Sequence, residues 1–306
     1  MLIPERLKKG DTIGIIAPSA PMTEEDLDEF NASILLMEAS GYQIKIGKYV
    51  FSNTTGYGAT AKEKAEDFNH MVQDDTVKMI WCARGGNNSN SIFDLIDYEE
   101  IKKHPKIICG YSDITSLTNV IYEKTGLITF SGQTFKGLAS CETEYSYKEI
   151  IKRLQDGNLE LGTKEDEYKV INKGKAEGIL IGGNLSLLHD LVVGKYHMDF
   201  QDKLLFLEEL GFESPPELVS HNLYHMKQNG VFDEIKGIWL GNYTHESGIT
   251  LEQILMDTLE DSYSFPIIKS ENFGHIDKKT VIPVGVRARI DTEAEEKIKL
   301  LENCVK

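Results

Sequence analysis

Three residue types, far apart along the chain, could together cleave an acyl bond: Ser112, the acidic pair Glu208-Glu209, and His275. Ser112 lies in Lys106-Ile107-Ile108-Cys109-Gly110-Tyr111-Ser112-Asp113-Ile114-Thr115-Ser116-Leu117. The apolar run reads as a strand and Gly110 permits a tight bend. Asp113 and Thr115 suit a helix start, which Leu117, Val120 and Ile121 continue at helical spacing. A serine on such a bend is lifted out of the sheet, with N–H groups of the new helix beside it. Acyl transfer needs that arrangement: an exposed nucleophile and preset donors for an oxyanion. The match to G-x-S-x-G is partial, since Gly110 and Ser112 fit but no second glycine follows. The same residues also describe an ordinary serine N-cap on a βα turn.

A serine nucleophile needs a base, and the base needs a group to orient it. Among eight histidines, His275 in Phe273-Gly274-His275 follows a strand-like stretch, although a loop histidine beside glycine is often simply exposed. Glu208 ends the apolar run Leu204-Leu205-Phe206-Leu207, so it must be partnered or functional. Capping the next turn is its plainer role, and spacing does not separate it from Glu209. Gly85-Gly86 would let backbone approach a ligand and offer N–H groups to an anion. Gly182-Gly183-Asn184 reads as a similar bend, able to line a site or only to turn the chain.

The elements that must position these residues follow an alternating pattern over the first ~135 residues. Strands are expected at 12–17, 42–50, 77–83, 106–109 and 127–131. Helices are expected at 24–40, 61–72, 91–96 and after Ser112. Such βαβ units predict a mostly parallel sheet covered on both faces, with ligands at the carboxyl ends of strands. Ser112 and the turn Arg84-Gly85-Gly86-Asn87-Asn88 sit at such ends. From 132 to 175 the pattern weakens; 147–154 looks helical and 156–168 is polar and acidic. After Gly174, strands are expected at 177–181, 203–208, 237–240, 266–270 and 281–290, and helices at 185–191, 216–229 and 250–259. The stretch 293–305 is ambiguous between helix and strand. The fold class is therefore α/β, divided into a first domain over 1–135 carrying the nucleophile, a connecting segment over 136–174, and a mixed α/β domain over 175–306.

The chain has 306 residues, 41% hydrophobic and 27% charged, as expected of a soluble globular protein. Its net charge of −16 argues against nucleic acid, because an acidic surface repels the backbone. No run approaches the roughly 20 apolar residues of a membrane span. MLIPERLKKGD carries charges and a proline where a signal peptide needs an apolar core, so a cytoplasmic location is expected. Cys82, Cys109, Cys141 and Cys304 form no C-x-x-C pair and read as reduced thiols. His221 and His225 lie one helical turn apart without a glutamate between them or a third ligand, so no metal site is read. The absence of G-x-G-x-x-G and P-loop patterns removes support for a nucleotide cofactor, and none is expected. Trp81 and Trp239 fall in expected strands and read as core, and the acidic run at 293–297 as solvated surface.

Taken in order, GIIAP (14–18), TGYGATAKEKAEDF (55–68), ARGG (83–86), GYSD (110–113), GGNL (182–185), LFLE (205–208) and FGH…PVG (273–275, 283–285) span the chain from Gly10 to about Ile290. This ordered set resembles the LD-carboxypeptidase and microcin C immunity family of serine peptidases. The resemblance implies a triad of Ser112, Glu208 and His275, with oxyanion donors at the backbone N–H groups of Gly86 and Asp113. It implies a Rossmann-like N-terminal lobe supplying Ser112, a smaller β-rich C-terminal lobe supplying Glu208 and His275, a site between them, and a homodimer. The implied chemistry is amide hydrolysis through an acyl-enzyme. In LD-carboxypeptidases the bond joins diaminopimelate or lysine to a terminal D-alanine in a cytosolic murein tetrapeptide.

Arg84, Asn87 and Asn184 are candidate substrate contacts. The chain departs from the carboxypeptidase branch where Asn87-Asn88-Ser89-Asn90, rather than Tyr-Gly, follows Arg-Gly-Gly; this is closer to the immunity branch, which hydrolyses peptidyl-nucleotides. It departs from that branch in turn because residues 137–168 are short and hold no tryptophan to stack a base; Tyr145, Tyr147 or Phe135 could substitute. The expected function is a metal-independent serine carboxypeptidase acting on murein peptides. The alternatives are a peptidyl-nucleotide hydrolase and, from another class, a non-catalytic two-lobed binding protein. A receptor would have no need of all three triad residues.

Overall fold

The apolar, β-branched runs become buried strands, and residues that can cap helices mark the boundaries between them. Thr60 and Glu63 form a reciprocal capping box at one helix start, and Gly126 in the left-handed region (φ +70°) ends another. The computed structural model describes residues 1–140, 144–163, 165–260 and 262–306. The first half runs β1 (Thr12–Ile16), α1 (Leu27–Ala39), β2 (Gln43–Ile46), α2 (Ala61–Gln73), β3 (Val77–Cys82), α3 (Tyr98–Lys103), β4 (Ile107–Gly110), α4 (Ile114–Thr125) and β5 (Thr129–Ser131). Then come α5 (Tyr145–Ile150), β6 (Tyr168–Asn172), β7 (Lys175–Asn184), α6 (Leu185–His189), β8 (Lys203–Glu208), α7 (Pro216–Gln228), α8 (Val231–Glu234), β9 (Gly237–Leu240), α9 (Leu251–Leu259), β10 (Ile267–Ser270), β11 (Ile282–Val284), β12 (Val286–Asp291) and β13 (Ile298–Leu300).

Two sheets result. The first has the order β11-β5-β4-β3-β1-β2 and is parallel except where β11 runs against β5. The second has the order β13-β12-β7-β8-β9-β10-β6. Its centre, β7 to β10, is parallel, and β6, β12 and β13 are antiparallel. This is the expected α/β architecture: a parallel-sheet N-terminal domain followed by a mixed-sheet C-terminal domain. Trp81 and Trp239 are fully buried, as expected. Cys82, Cys109 and Cys304 are free and buried, whereas Cys141 lies outside the described residues. No helix among the described residues is long and apolar enough to cross a membrane.

Several elements differ from the sequence reading. The expected helix at 91–96 is a 3-10 turn, Ser89–Ile92. The helix at 147–154 becomes α5 followed by a π-helical turn, Ile151–Gln155. A strand the sequence reading did not expect, β6, pairs with β10 at the sheet edge, where its residues are half-buried or exposed. Gly182-Gly183 is not a bend; β7 runs through both to Asn184, in register with β8. The ambiguous stretch at 293–305 contains β13.

The run at 281–290, expected as one strand, is two. Gly285 (φ +96°) breaks it, so that β11 joins the first sheet and β12 the second. A Cβ at Gly285 would overlap the Tyr122 ring, and only glycine adopts that φ without cost. Gly285→Val is therefore expected to destabilise the protein by about 2–4 kcal/mol. Urea unfolding followed by far-UV circular dichroism measures this, and an unchanged midpoint would contradict the packing described.

Candidate active site

The β4–α4 turn places Ser112. Its φ of +62° lies in the left-handed region, unusual for a serine and maintained only when the surroundings fix it. Gly85 packs directly against it, since a Cβ there would stand 3.0 Å from Ser112 Oγ. The backbone N–H groups of Gly86 and Asp113 flank this turn. Among the described residues neither N–H has a hydrogen-bond partner, so both are available to an incoming oxyanion.

The second sheet brings the other two side chains. Asn119, buried on α4, exchanges two hydrogen bonds with Gly182 of β7: its amide donates to the carbonyl (2.9 Å) and the Gly182 N–H donates to its oxygen (3.2 Å). Thr115 Oγ1, one helical turn from Ser112, accepts from the Asn184 N–H at 2.9 Å. Asn184 stands beside Glu208 in the β7–β8 ladder, so the start of α4 and the end of β8 are fixed together. Gly274 (φ +115°) allows the following loop to pass close to Glu208, with only 3.2 Å from its ideal Cβ position to Glu208 Cβ. The Asn242 N–H holds that loop through the Phe273 carbonyl at 3.0 Å.

The outcome is a line of three groups. The His275 ring donates from Nδ1 to Glu208 Oε2 at 2.7 Å, and Nε2 then accepts from Ser112 Oγ at 3.1 Å. Glu208 is 3% exposed. Burial opposes the charged imidazolium, but the Glu208 carboxylate outweighs it and raises the His275 pKa above its ordinary 6.5. Such a line can take a proton from a hydroxyl and hold the resulting imidazolium beside a fixed anion. Glu209 has another job: it accepts from Asn184 Nδ2 (2.8 Å), the Ser186 N–H (2.9 Å) and the Leu210 N–H (2.8 Å).

A cavity of about 400 Å³ opens over Ser112 and His275. Arg84, Gly86 and Asn87 line it. Arg84 also pairs with buried Asp26 at 2.7 Å, as does Lys136, another lining residue. Burial resists ionisation of Asp26, but the Lys136, Thr23 and Arg84 contacts prevail and bring its pKa down to about 2. Asn184 does not line the cavity; it is buried, caps α6 and bonds Glu209. Sequence reasoning missed Tyr111, Lys136, Glu213, Asp277 and Lys279 on the wall. Tyr111 adjoins the serine, and Asp277 and Lys279 follow His275, so proximity was a usable signal; Glu213 offered none. His221 is exposed, and the His225 ring meets His189 edge-on at 5.3 Å. No group of three potential metal-ligating side chains occurs among the described residues.

The raised pKa has a consequence for stability as well as chemistry. Protonated His275 stabilises the fold below about pH 6.5, and that contribution fades as pH rises through the folded midpoint. Glu208→Gln removes the attracting charge and leaves the burial, so the midpoint is expected to fall below the ordinary value. NMR titration of the ring nitrogens reads it directly; a midpoint insensitive to the substitution would refute the coupling.

Comparison with known proteins follows the same division. The LD-carboxypeptidase N-terminal domain model matches residues 13–132, and the LD-carboxypeptidase C-terminal domain model matches residues 177–290. The probable murein peptide carboxypeptidase of Bacillus subtilis (strain 168) is 35% identical over 314 residues, 98% of this chain and 94% of that protein. The microcin C7 self-immunity protein MccF of Escherichia coli is 30% identical over 327 residues, 95% of this chain and 93% of that one. The solved structure of MccF in complex with glutamyl sulfamoyl guanosine superposes with a TM-score of 0.91 at 28% identity, covering 100% of both chains.

Proposed function

The chain belongs to the LD-carboxypeptidase family of serine peptidases, and from that premise we propose that it removes the terminal D-alanine from murein tetrapeptides, using Ser112, His275 and Glu208 as its triad. The observation that carries this reading is the continuous line from Ser112 Oγ through the imidazole to the Glu208 carboxylate. His275 Nε2 takes the proton as Ser112 Oγ bonds to the scissile carbonyl carbon. The carbonyl oxygen becomes an anion facing the Gly86 and Asp113 N–H groups. Collapse breaks the C–N bond, and His275 returns the proton to the departing amine. Water then attacks the ester, giving one proton to His275, and the C–O bond to Ser112 breaks as that proton returns to Oγ.

Arg84 and Lys136 are the wall residues that would receive the terminal carboxylate of an exopeptidase substrate; Asp26 pairs with both, and Glu29 lies 3.5 Å from Lys136. The extent of likeness to the Bacillus protein named a probable murein peptide carboxypeptidase favours a murein substrate. The full proposal is of a cytoplasmic homodimer that takes a small peptide, both the dimer and the location resting on the family resemblance.

A second reading, hydrolysis of peptidyl-nucleotides, draws on two observations. Asn87 follows Arg84-Gly85-Gly86 at the cavity, and Phe212 stands 92% exposed between the lining residues Leu210 and Glu213, where a base could stack. Against it, Tyr111 is the one aromatic besides His275 among the described residues lining the cavity, and Lys279 Nζ already lies 4.6 Å from its ring centroid.

Murein tetrapeptide and an aminoacyl-sulfamoyl adenosine, incubated separately with the protein and followed by mass spectrometry, separate the readings. Release of D-alanine alone is expected; cleavage of the nucleotide conjugate alone would replace the first reading with the second. Ser112→Ala should lower turnover by at least about 10³-fold and abolish labelling by a fluorophosphonate. Persisting activity in that variant would dismiss the triad.

A further inference from the structure

One buried carboxylate beside the site has no part in the proton path described above. Asp113 is 1% exposed, yet its side chain points away from the cavity's chemistry into a knot of donors. Its Oδ2 accepts from Ser19 Oγ, from the Asn88 N–H at 2.9 Å and from the Ser89 N–H at 2.8 Å. Ser89 Oγ lies 3.0 Å from Oδ1. The cation in this neighbourhood is Lys64, 2% exposed, whose Nζ donates to Asn88 Oδ1 at 2.8 Å.

Those partners come from two separate loops, at the carboxyl ends of β1 and β3, and Asp113 itself belongs to a third, after β4. Ser19 also touches the second loop directly: a Cβ at Gly86 would overlap its hydroxyl, and the Ala20 N–H donates to the Gly85 carbonyl at 3.2 Å. The free N–H groups of Gly86 and Asp113 belong to two of these loops. Their spacing is therefore set by what ties the loops together, and the ties converge on one carboxylate.

We propose that the Asp113 side chain is a positioning residue, which holds the Gly86 and Asp113 N–H groups at the separation that a tetrahedral oxyanion requires. This rests on the acyl-enzyme reading above and assigns a function that the triad leaves open. A carboxylate suits the role because three donors meet at one oxygen, which an alanine would strand in a buried place. Asparagine can still accept at that position while its amide faces the Ser89 hydroxyl. Donors that are fixed in advance act on the transition state more than on bound substrate.

The test is the second-order rate at which a fluorophosphonate labels Ser112, since its phosphoryl oxygen enters the same donor pair whatever the natural substrate. Asp113→Ala is expected to slow labelling about 10²-fold, the size of losing one oxyanion donor. Asp113→Asn should remain within about tenfold of the parent. On murein tetrapeptide the loss should fall on kcat, with KM within about threefold, and the His275 midpoint should not move. If Asp113→Ala does not fold, Ser19→Ala, which removes one of the three donors to Oδ2, is expected to slow labelling about three- to tenfold. A folded Asp113→Ala or Ser19→Ala that labels at the parental rate overturns the positioning role, as does a loss confined to KM. A parent chain that is never labelled at Ser112 overturns instead the peptidase reading on which it rests.

Discussion

The geometry of the site depends on a short seam where α4 docks against β7. Asn119 and Thr115 make three hydrogen bonds to the backbone of Gly182 and Asn184. All of these groups are buried, so breaking one would strand a polar atom away from water. The seam also demands glycine, because a Cβ at Gly183 would overlap Thr115. Ser112 lies two residues before the same helix, and Glu208 neighbours Asn184 in the ladder. Ser112 and Glu208 thus keep their distance because the buried Asn119 and Thr115 side chains tie α4 to the backbone of β7.

Glu208 ends β8 and Glu209 follows it, and their surroundings give them opposite roles. Glu209 has its oxygens occupied by Asn184, Ser186 and Leu210, so it welds the β8 end to the start of α6. Glu208 is equally buried and keeps His275 as its partner. A carboxylate with a single titratable partner in a dry setting transfers its charge preference to that partner, and this is how His275 gains its raised pKa. The end of the strand coincides with the split: Glu208 closes β8 beside the loop that carries the histidine, and Glu209, the first residue past it, meets Asn184 and Ser186.

The sequence was most legible where local pattern and tertiary environment agree. The runs that become β1, β3, β4, β8 and β9 are mainly apolar, bounded and almost wholly buried, so the apolar pattern located them. The bend at Ser112 was legible because Gly110 precedes it and helix formers follow. Legibility failed where a long-range partner decides. The stretch at 281–290 reads as one strand, and only the Tyr122 ring against Gly285 explains its break. Gly182-Gly183 reads as a turn, yet close approach of Phe206 and Thr115, not a change of direction, is why glycine stands there. The edge strand β6 is short, half-buried along most of its length and preceded by a polar, acidic stretch, so its pattern was weak. Among site residues, Ser112, Glu208 and His275 do meet, whereas Asn184 resembles a ligand contact in sequence and is a helix cap in space.

The placement of β11 bears on synthesis of the chain. This strand forms the border of the sheet that begins with β1, yet it is translated after five of the second sheet's seven strands. A growing polypeptide therefore carries its earliest sheet with β5 unpaired on one side until the ribosome has passed residue 284. An open β border is a template for unwanted association, so this interval is when the nascent molecule is most exposed to aggregation. His275 emerges in the same late window, just ahead of the closing strand.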